Sequence, residues 1–227
     1  MPKLAIVAAL EREVRPLIKR WRVTEKEHEG RRFRFFENED MVLVCGGIGA
    51  AAARRAAEAA ITVFNPTTVC SAGFAGALEA GLRVGDVIRP RLVINAGDAN
   101  KAIVEGGDGV LVSFEAVASR AQKGKLRESF GAQAVDMEAA AVARSAEARG
   151  KHFAVVKAIS DDLDVEFPGM ERFVDSEGNF QESRFAFYAA IRPWLWVRVI
   201  RLARNSSRAS RALCAYLEHF NSIGSSS

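Results

Sequence analysis

The chain has 227 residues, a formal net charge of +4 and an apolar fraction of 49%. That length suits one α/β core, and so mild a charge gives no argument for a nucleic-acid partner. Three scattered cysteines (Cys45, Cys70, Cys214) and three scattered histidines offer neither a disulfide framework nor a metal site and suit a reducing cytoplasm. The first apolar run is broken by Glu11, Arg12 and Glu13, too early for a leader peptide or a membrane span.

In chain order, KLAIVAAL predicts a buried strand and VRPLIKRW the helix after it. RRFRFFEN and DMVLVCGGI predict two more strands, the first alternating as a half-exposed strand does. GAAAARRAAEAAITVF is a strong helix with a glycine-rich start. TTVCSAGFAGAL predicts a strand ending in a glycine-rich turn, and GDVIRPRLVI continues as strand. FEAVASRAQKGKLRES is mixed. AVDMEAAAVARSAEARG leaves a strand end for a helix stopped at Gly150, HFAVVKAIS is a buried strand, and SDDLD is the loop after it. Strands alternating with helices predict a three-layer α/β/α sandwich around a mixed, mostly parallel sheet, with ligands at the carboxyl ends of the strands.

The polar motifs fall at those ends: LEREV, GGIG, SAGFAG, VDMEA and SDD. Taken singly they stay ambiguous. GGIG and SAGFAG read equally as anion cradles or as tight turns. The acids Glu13, Glu138 and Asp161 each have a helix cap or an ordinary surface charge as the competing reading. Asp136, two residues before Glu138, reads best as a solvated or capping acid.

Taken in order, LEREV, GGIGAAAA, SAGFAGAL with VGDVI, VDMEAAAVA and KAISDDLD resemble the purine nucleoside phosphorylase/uridine phosphorylase superfamily. Within it they are most similar to the 5′-methylthioadenosine/S-adenosylhomocysteine nucleosidases. The likeness runs over about residues 3–164 and implies cleavage of a purine N-glycosidic bond through an oxocarbenium-like transition state. It implies that Asp161 protonates the leaving purine at N7, with Ser160 beside it. For that, Asp161 should hold its proton near neutral pH through burial or a like-charged neighbour, Asp162 or Asp164. By the same likeness Glu138 takes the ribose hydroxyls, Met137 packs on the sugar, and Glu13 activates the attacking water, with Glu11 as the nearby alternative. Backbone groups of Ala72 and Gly73 line the ribose and nucleophile pocket, and Phe114 in GVLVSFEAVAS stacks on the base.

Residues 1–227 read as one nucleosidase-like domain, with 184–220 a basic Trp/Arg-rich helical extension. RFAFYAAIRPWLWVRVIRLARNSSRASRALCAYL carries seven arginines, no acid, and Trp194 and Trp196 beside Pro193. A pair of amphipathic helices packed on the body is the plain reading; contact with an anionic membrane surface is the sharper one. The tail, with SAGFAGAL and VDMEA, is also similar to hopanoid-associated phosphorylases, which release adenine from a lipid-linked nucleoside. Hydrolysis is the leading expectation. Phosphorolysis, with Arg12, Arg15, Arg54 or Arg55 supplying charge for phosphate, is the alternative, and a non-catalytic nucleoside-binding module is the second. The resemblance implies no metal or organic cofactor, and it implies a cytoplasmic homodimer.

Overall fold

The computed structural model describes residues 2–161, 181 and 196–223. In chain order the elements are β1 (Leu4–Ala8), α1 (Glu11–Ile18), β2 (Arg22–His28), β3 (Arg31–Glu37), β4 (Met41–Cys45) and α2 (Ala50–Phe64). They continue with β5 (Thr68–Ala77), β6 (Val87–Ile88), β7 (Leu92–Asn95), β8 (Lys101–Ile103), β9 (Val110–Ser113) and α3 (Arg120–Phe130). The last are β10 (Ala134–Asp136), α4 (Ala139–Ala148), β11 (His152–Asp161) and α5 (Trp196–Ile223).

The strands form one mixed eleven-stranded sheet in the order β2-β3-β4-β1-β5-β10-β9-β7-β8, with β11 on β5 and β6 on β11. Pairing is parallel along β4, β1, β5 and β11 and antiparallel at the outer β2–β3 hairpin. Side chains alternate along β1 as a doubly covered strand requires. Leu4, Ile6 and Ala8 join one core with Val14 and Leu17 of α1 and Leu213 and Leu217 of α5. Ala5 and Val7 join the opposite core with the alanines of α2 and with Val142 and Ala146 of α4. The three layers expected from the alternation of elements are therefore present.

Alanine lets α2 approach closely. A Cβ at Gly46 would lie 2.6 Å from Ala56 Cβ and 2.9 Å from Ala52 O, so the end of β4 runs against the helix. Gly49 precedes α2 at φ +94°, backbone that favours glycine. At the far end Asn65 takes the left-handed conformation and its N–H donates to Ile61 O at 2.9 Å.

Two expectations change. RVTEKEH forms β2, unexpected because an exposed edge strand carries no apolar alternation. GDVIRPRLVI is two short strands, β6 and β7, broken around Pro90 rather than one continuous strand. The described part of the basic C-terminal segment is a helix of 28 residues, and the segment's first residues, 184–195, lie outside the described residues. Its Ala209, Leu213, Cys214 and Leu217 are buried in the core. No helix among the described residues is long and apolar enough to cross a membrane. Asp162, Asp164, Pro193 and Trp194 lie outside the described residues.

Candidate active site

The site forms where the sheet opens. β11 runs along one edge of β5 from Thr68 to Gly76. On the other edge β1 pairs only as far as Ser71, and β10 joins only at Gly76 and Ala77. Residues 72–75 of β5 thus face a gap between two departing strands, the place where an α/β sheet accepts a ligand. SAGFAG lies wholly inside β5. Its glycines make room for carboxylates rather than a turn.

A Cβ at Gly73 would sit 2.8 Å from Glu13 Oε2, and a Cβ at Gly76 would sit 2.9 Å from Asp161 Oδ2. Each glycine clears space for one predicted catalytic acid. Three residues of extended strand separate the two clearings by roughly 10 Å. Ala72, between Ser71 and Gly73, turns its methyl into the core and is 1% exposed, which leaves its backbone as its contribution to the site.

Glu13 stands in the first turn of α1, where the positive end of the helix favours a carboxylate. Its backbone is held from behind by Cys214 of α5, whose Sγ–H donates to Glu13 O at 3.7 Å. The side chain is buried, and Oε2 has no hydrogen-bond partner. Burial, reinforced by the charge of Glu138 and offset by Lys157, pushes its pKa up to about 7. A carboxyl so placed exchanges protons near neutrality, as a general base must. Glu11, the alternative, pairs with Arg34 at 2.8 Å on the exposed surface.

Glu138 precedes α4 and is tied by two backbone groups. Gly49 N–H donates to its Oε1 at 2.9 Å, and Met137 N–H donates to its Oε2 at 3.2 Å. GGIG therefore serves the site through one amide that positions a carboxylate. Burial and Asp136 raise the pKa of Glu138, against Lys157 and these hydrogen bonds.

Asp136 is not a solvated acid. It is 4% exposed and accepts from Ser113 Oγ at 2.6 Å and from Ala139 N–H at 2.8 Å, which makes it a cap of α4. Its second role was not legible: Lys157 Nζ lies 2.8 Å from its Oδ2, with side chains 1% and 0% exposed. Lys157 projects from β11 into the acids. Its pKa is raised because Asp136, Glu138 and Glu13 together outweigh the cost of burial. Three carboxylates share this one buried ammonium. Sequence reasoning missed it, although a lysine inside the apolar run HFAVVKAIS is itself the signal of a buried charge with partners.

Asp161 ends β11, past a register shift between Ile159 and Asp161. Ser160 Oγ donates to its Oδ1 at 3.0 Å, and Lys123 Nζ lies 2.5 Å from its Oδ2. Among the described residues the charged neighbour of Asp161 is thus a cation; Asp162 and Asp164, the expected like charges, lie outside them. The aspartate side chain is 27% exposed, while that of Lys123 is 4% exposed. Lys123 is aimed by the reciprocal Ser119–Gln122 cap of α3.

Met137 and Phe114 meet elsewhere, lining a cavity of about 600 Å³ with Asn95, Ser113, Ala140 and Arg54. That size suits a small-molecule ligand. A second cavity, of about 630 Å³, lies between the β2–β3 hairpin and α2, lined by Arg31, Arg32, Arg34, Arg55, Glu11 and Cys45.

The family model of the phosphorylase superfamily matches residues 3–118 and 107–191. The aminodeoxyfutalosine nucleosidase of Campylobacter jejuni is 26% identical over 197 residues, covering 71% of this chain and 86% of its own. The 5′-methylthioadenosine/S-adenosylhomocysteine nucleosidase of Staphylococcus carnosus is also 26% identical over 197 residues, covering 70% and 86%. Among solved structures, the nucleosidase of Neisseria meningitidis in complex with methylthio-immucillin-A superposes with a TM-score of 0.69 at 20% identity, covering 94% of this chain and 96% of that one. The futalosine hydrolase of Helicobacter pylori gives 0.68 at 19% identity, covering 96% and 98%. With both the sheet and the family model matched along most of its length, the chain belongs to the phosphorylase superfamily.

Proposed function

We propose that the protein is an N-glycosidase that hydrolyses the bond between a purine, adenine by analogy with the nucleosidase relatives, and ribose. The observation that carries this reading is Glu13, a buried carboxyl with one unpartnered oxygen and a pKa near 7, set in the gap of the sheet beside Gly73. Glu13 takes a proton from water as the water attacks C1′. Glu138 takes the ribose hydroxyls and, as an anion, stabilises the growing positive charge on the sugar. Met137 and Phe114 pack on sugar and base, Ala72 and Gly73 line the pocket floor, and Ser160 and Asp161 serve the leaving base at N7.

Release of adenine from methylthioadenosine, S-adenosylhomocysteine or adenosine in phosphate-free buffer tests the reading. Release that requires phosphate contradicts it. A second reading, phosphorolysis, draws on the arginine-lined cavity next to Cys45, since arginine forks bind phosphate well.

The finer assignments belong to the same proposal. A homodimer is carried over from the resemblance to the phosphorylase superfamily alone. A cytoplasmic setting is supported by three cysteines that are all free. Peripheral contact with anionic lipid, and with it a lipid-linked adenosine as substrate, is supported by Arg201, Arg204, Arg208 and Arg211, all exposed on α5.

A further inference from the structure

Asp161 has both carboxylate oxygens occupied by donors. Ser160 Oγ–H serves Oδ1 at 3.0 Å, and the Lys123 ammonium serves Oδ2 at 2.5 Å. Both oxygens accept, and the hydrogens in these two contacts belong to the donors. A purine leaving group nevertheless needs one, because its anion is a poor leaving group. The nearest group carrying that hydrogen is Lys123, whose side chain is sealed at 4% exposure while that of its partner is open to the site at 27%.

Its placement is built, not incidental. α3 begins at Arg120 behind Ser119, whose N–H and Oγ close a reciprocal cap with Gln122. The cap fixes the first turn, from which Lys123 reaches β11. On the other side of the carboxylate Gly76 leaves no Cβ, and one there would lie 2.9 Å from Oδ2 and 3.3 Å from Oδ1. The carboxylate is therefore held by two donors in space that Gly76 leaves free.

We propose that Lys123 is a positioning residue for the leaving base: it orients the Asp161 carboxylate and supplies the proton that passes through it to N7. The inference rests on the N-glycosidase reading. In the step, the C1′–N9 electron pair goes to the purine, one proton moves from Lys123 Nζ to Asp161 Oδ2, and a proton leaves the Asp161 carboxyl for purine N7. Asp161 ends as it began, Lys123 is left as the neutral amine, and the base departs neutral. Water adds to C1′ and yields its proton to Glu13. Return of that proton to Lys123 through solvent restores the starting state, so the sum is nucleoside plus water giving free base plus ribose.

The test compares two substrates in the full-length protein: an adenine nucleoside, whose base needs the proton, and 4-nitrophenyl riboside, whose phenolate leaves without one. For Lys123→Met, kcat/KM on the nucleoside should fall by about 10²-fold or more, the usual worth of general-acid assistance. On the riboside it should stay within about 3-fold of wild type, well below the same acid contribution. Lys123→Arg, which keeps the charge and the donors but does not give up a proton, should leave most of the nucleoside loss in place, and Asp161→Asn should share the selective loss. Equal losses on both substrates, or no loss on the nucleoside, overturn the inference while leaving the N-glycosidase reading intact. A wild-type protein that releases base from no nucleoside overturns that reading and the inference with it.

Discussion

The two halves of the candidate site solve opposite problems. Around Gly73, Glu13, Asp136 and Glu138 share the buried Lys157, and charge is dominated by desolvation. Around Gly76, Asp161 meets the buried Lys123 at a partly open position. In the first half burial, reinforced by the charge of Glu138, drives Glu13 toward a proton affinity near neutrality. In the second a buried cation meets a partly exposed carboxylate. Both rest on the same two strands, β5 and β11, and differ in what faces them from the helices: α1 and the start of α4 on one side, α3 on the other.

The largest effect should come from removing the cation of the buried half. Lys157→Met leaves Asp136 buried without its counter-ion and should destabilise the fold by about 3–5 kcal/mol, read from denaturant unfolding. The double variant Lys157→Met/Asp136→Asn should recover most of that loss. A single variant as stable as wild type would show that the two halves do not differ in this way.

Glu13→Gln comes next. It should lower kcat on an adenine nucleoside by about 10²–10⁴-fold, the range for a lost general base. In the wild type, kcat/KM should rise with pH through about 7, because the base works as the carboxylate. A profile that falls over that range would contradict the role assigned to it.

The glycines sharpen the comparison further. Gly73→Ala and Gly76→Ala each place a methyl within 3 Å of a carboxylate tip, and Gly73 has in addition a φ of +157° that strains any side chain. Activity should drop by about 10–10²-fold in each, within the range known for misplaced catalytic groups, while the melting temperature hardly moves in Gly76→Ala and falls in Gly73→Ala. With 4-nitrophenyl riboside only Gly73→Ala should be impaired. Equal impairment of both on that substrate would erase the distinction between the halves.

The smallest effect is on stability against pH. The folded-state pKa of Glu13 is raised from 4.5 to about 7, so the folded protein binds the proton more tightly than the unfolded chain. Its contribution to stability is fully present below about pH 4.5 and is lost as pH rises through about 7. Glu13→Gln should thus be more stable than wild type at pH 8 by up to about 3 kcal/mol and indistinguishable from it near pH 4. A gain of the same size at both pH values would mean that proton linkage is not its source.

The sheet and the placement of the acids were legible because their signals are local. An apolar run followed by LEREV marks a strand end with an acid on the next helix, and Glu13 stands there. The alanine-rich segment reads as the helix it forms. The hairpin β2–β3 was missed because RVTEKEH is polar throughout, yet its turn was visible in principle. Glu29 and Gly30 form a two-residue connection with φ of +50° and +73°, the geometry that closes a tight hairpin.

The cations are a harder case. Lys123 sits in SRAQKGKLRES, a stretch of mixed pattern, and its burial depends on how α3 docks against the end of β11. Lys157 announces itself only as a charge inside an apolar strand. Which acids it meets is decided by the meeting of β10, α1 and β11, contacts remote in sequence. That is why Asp136 read as a plain cap: the capping bond is local, the ion pair is not.

The most direct test of the account is to run the reaction in heavy-oxygen water with phosphate present and analyse the sugar product. The account predicts free ribose, or its 5′-substituted form, carrying the heavy oxygen at C1′, with label transfer abolished in Glu13→Gln. A ribose 1-phosphate without label would contradict it and make the arginine-lined cavity, not Glu13, the source of the nucleophile.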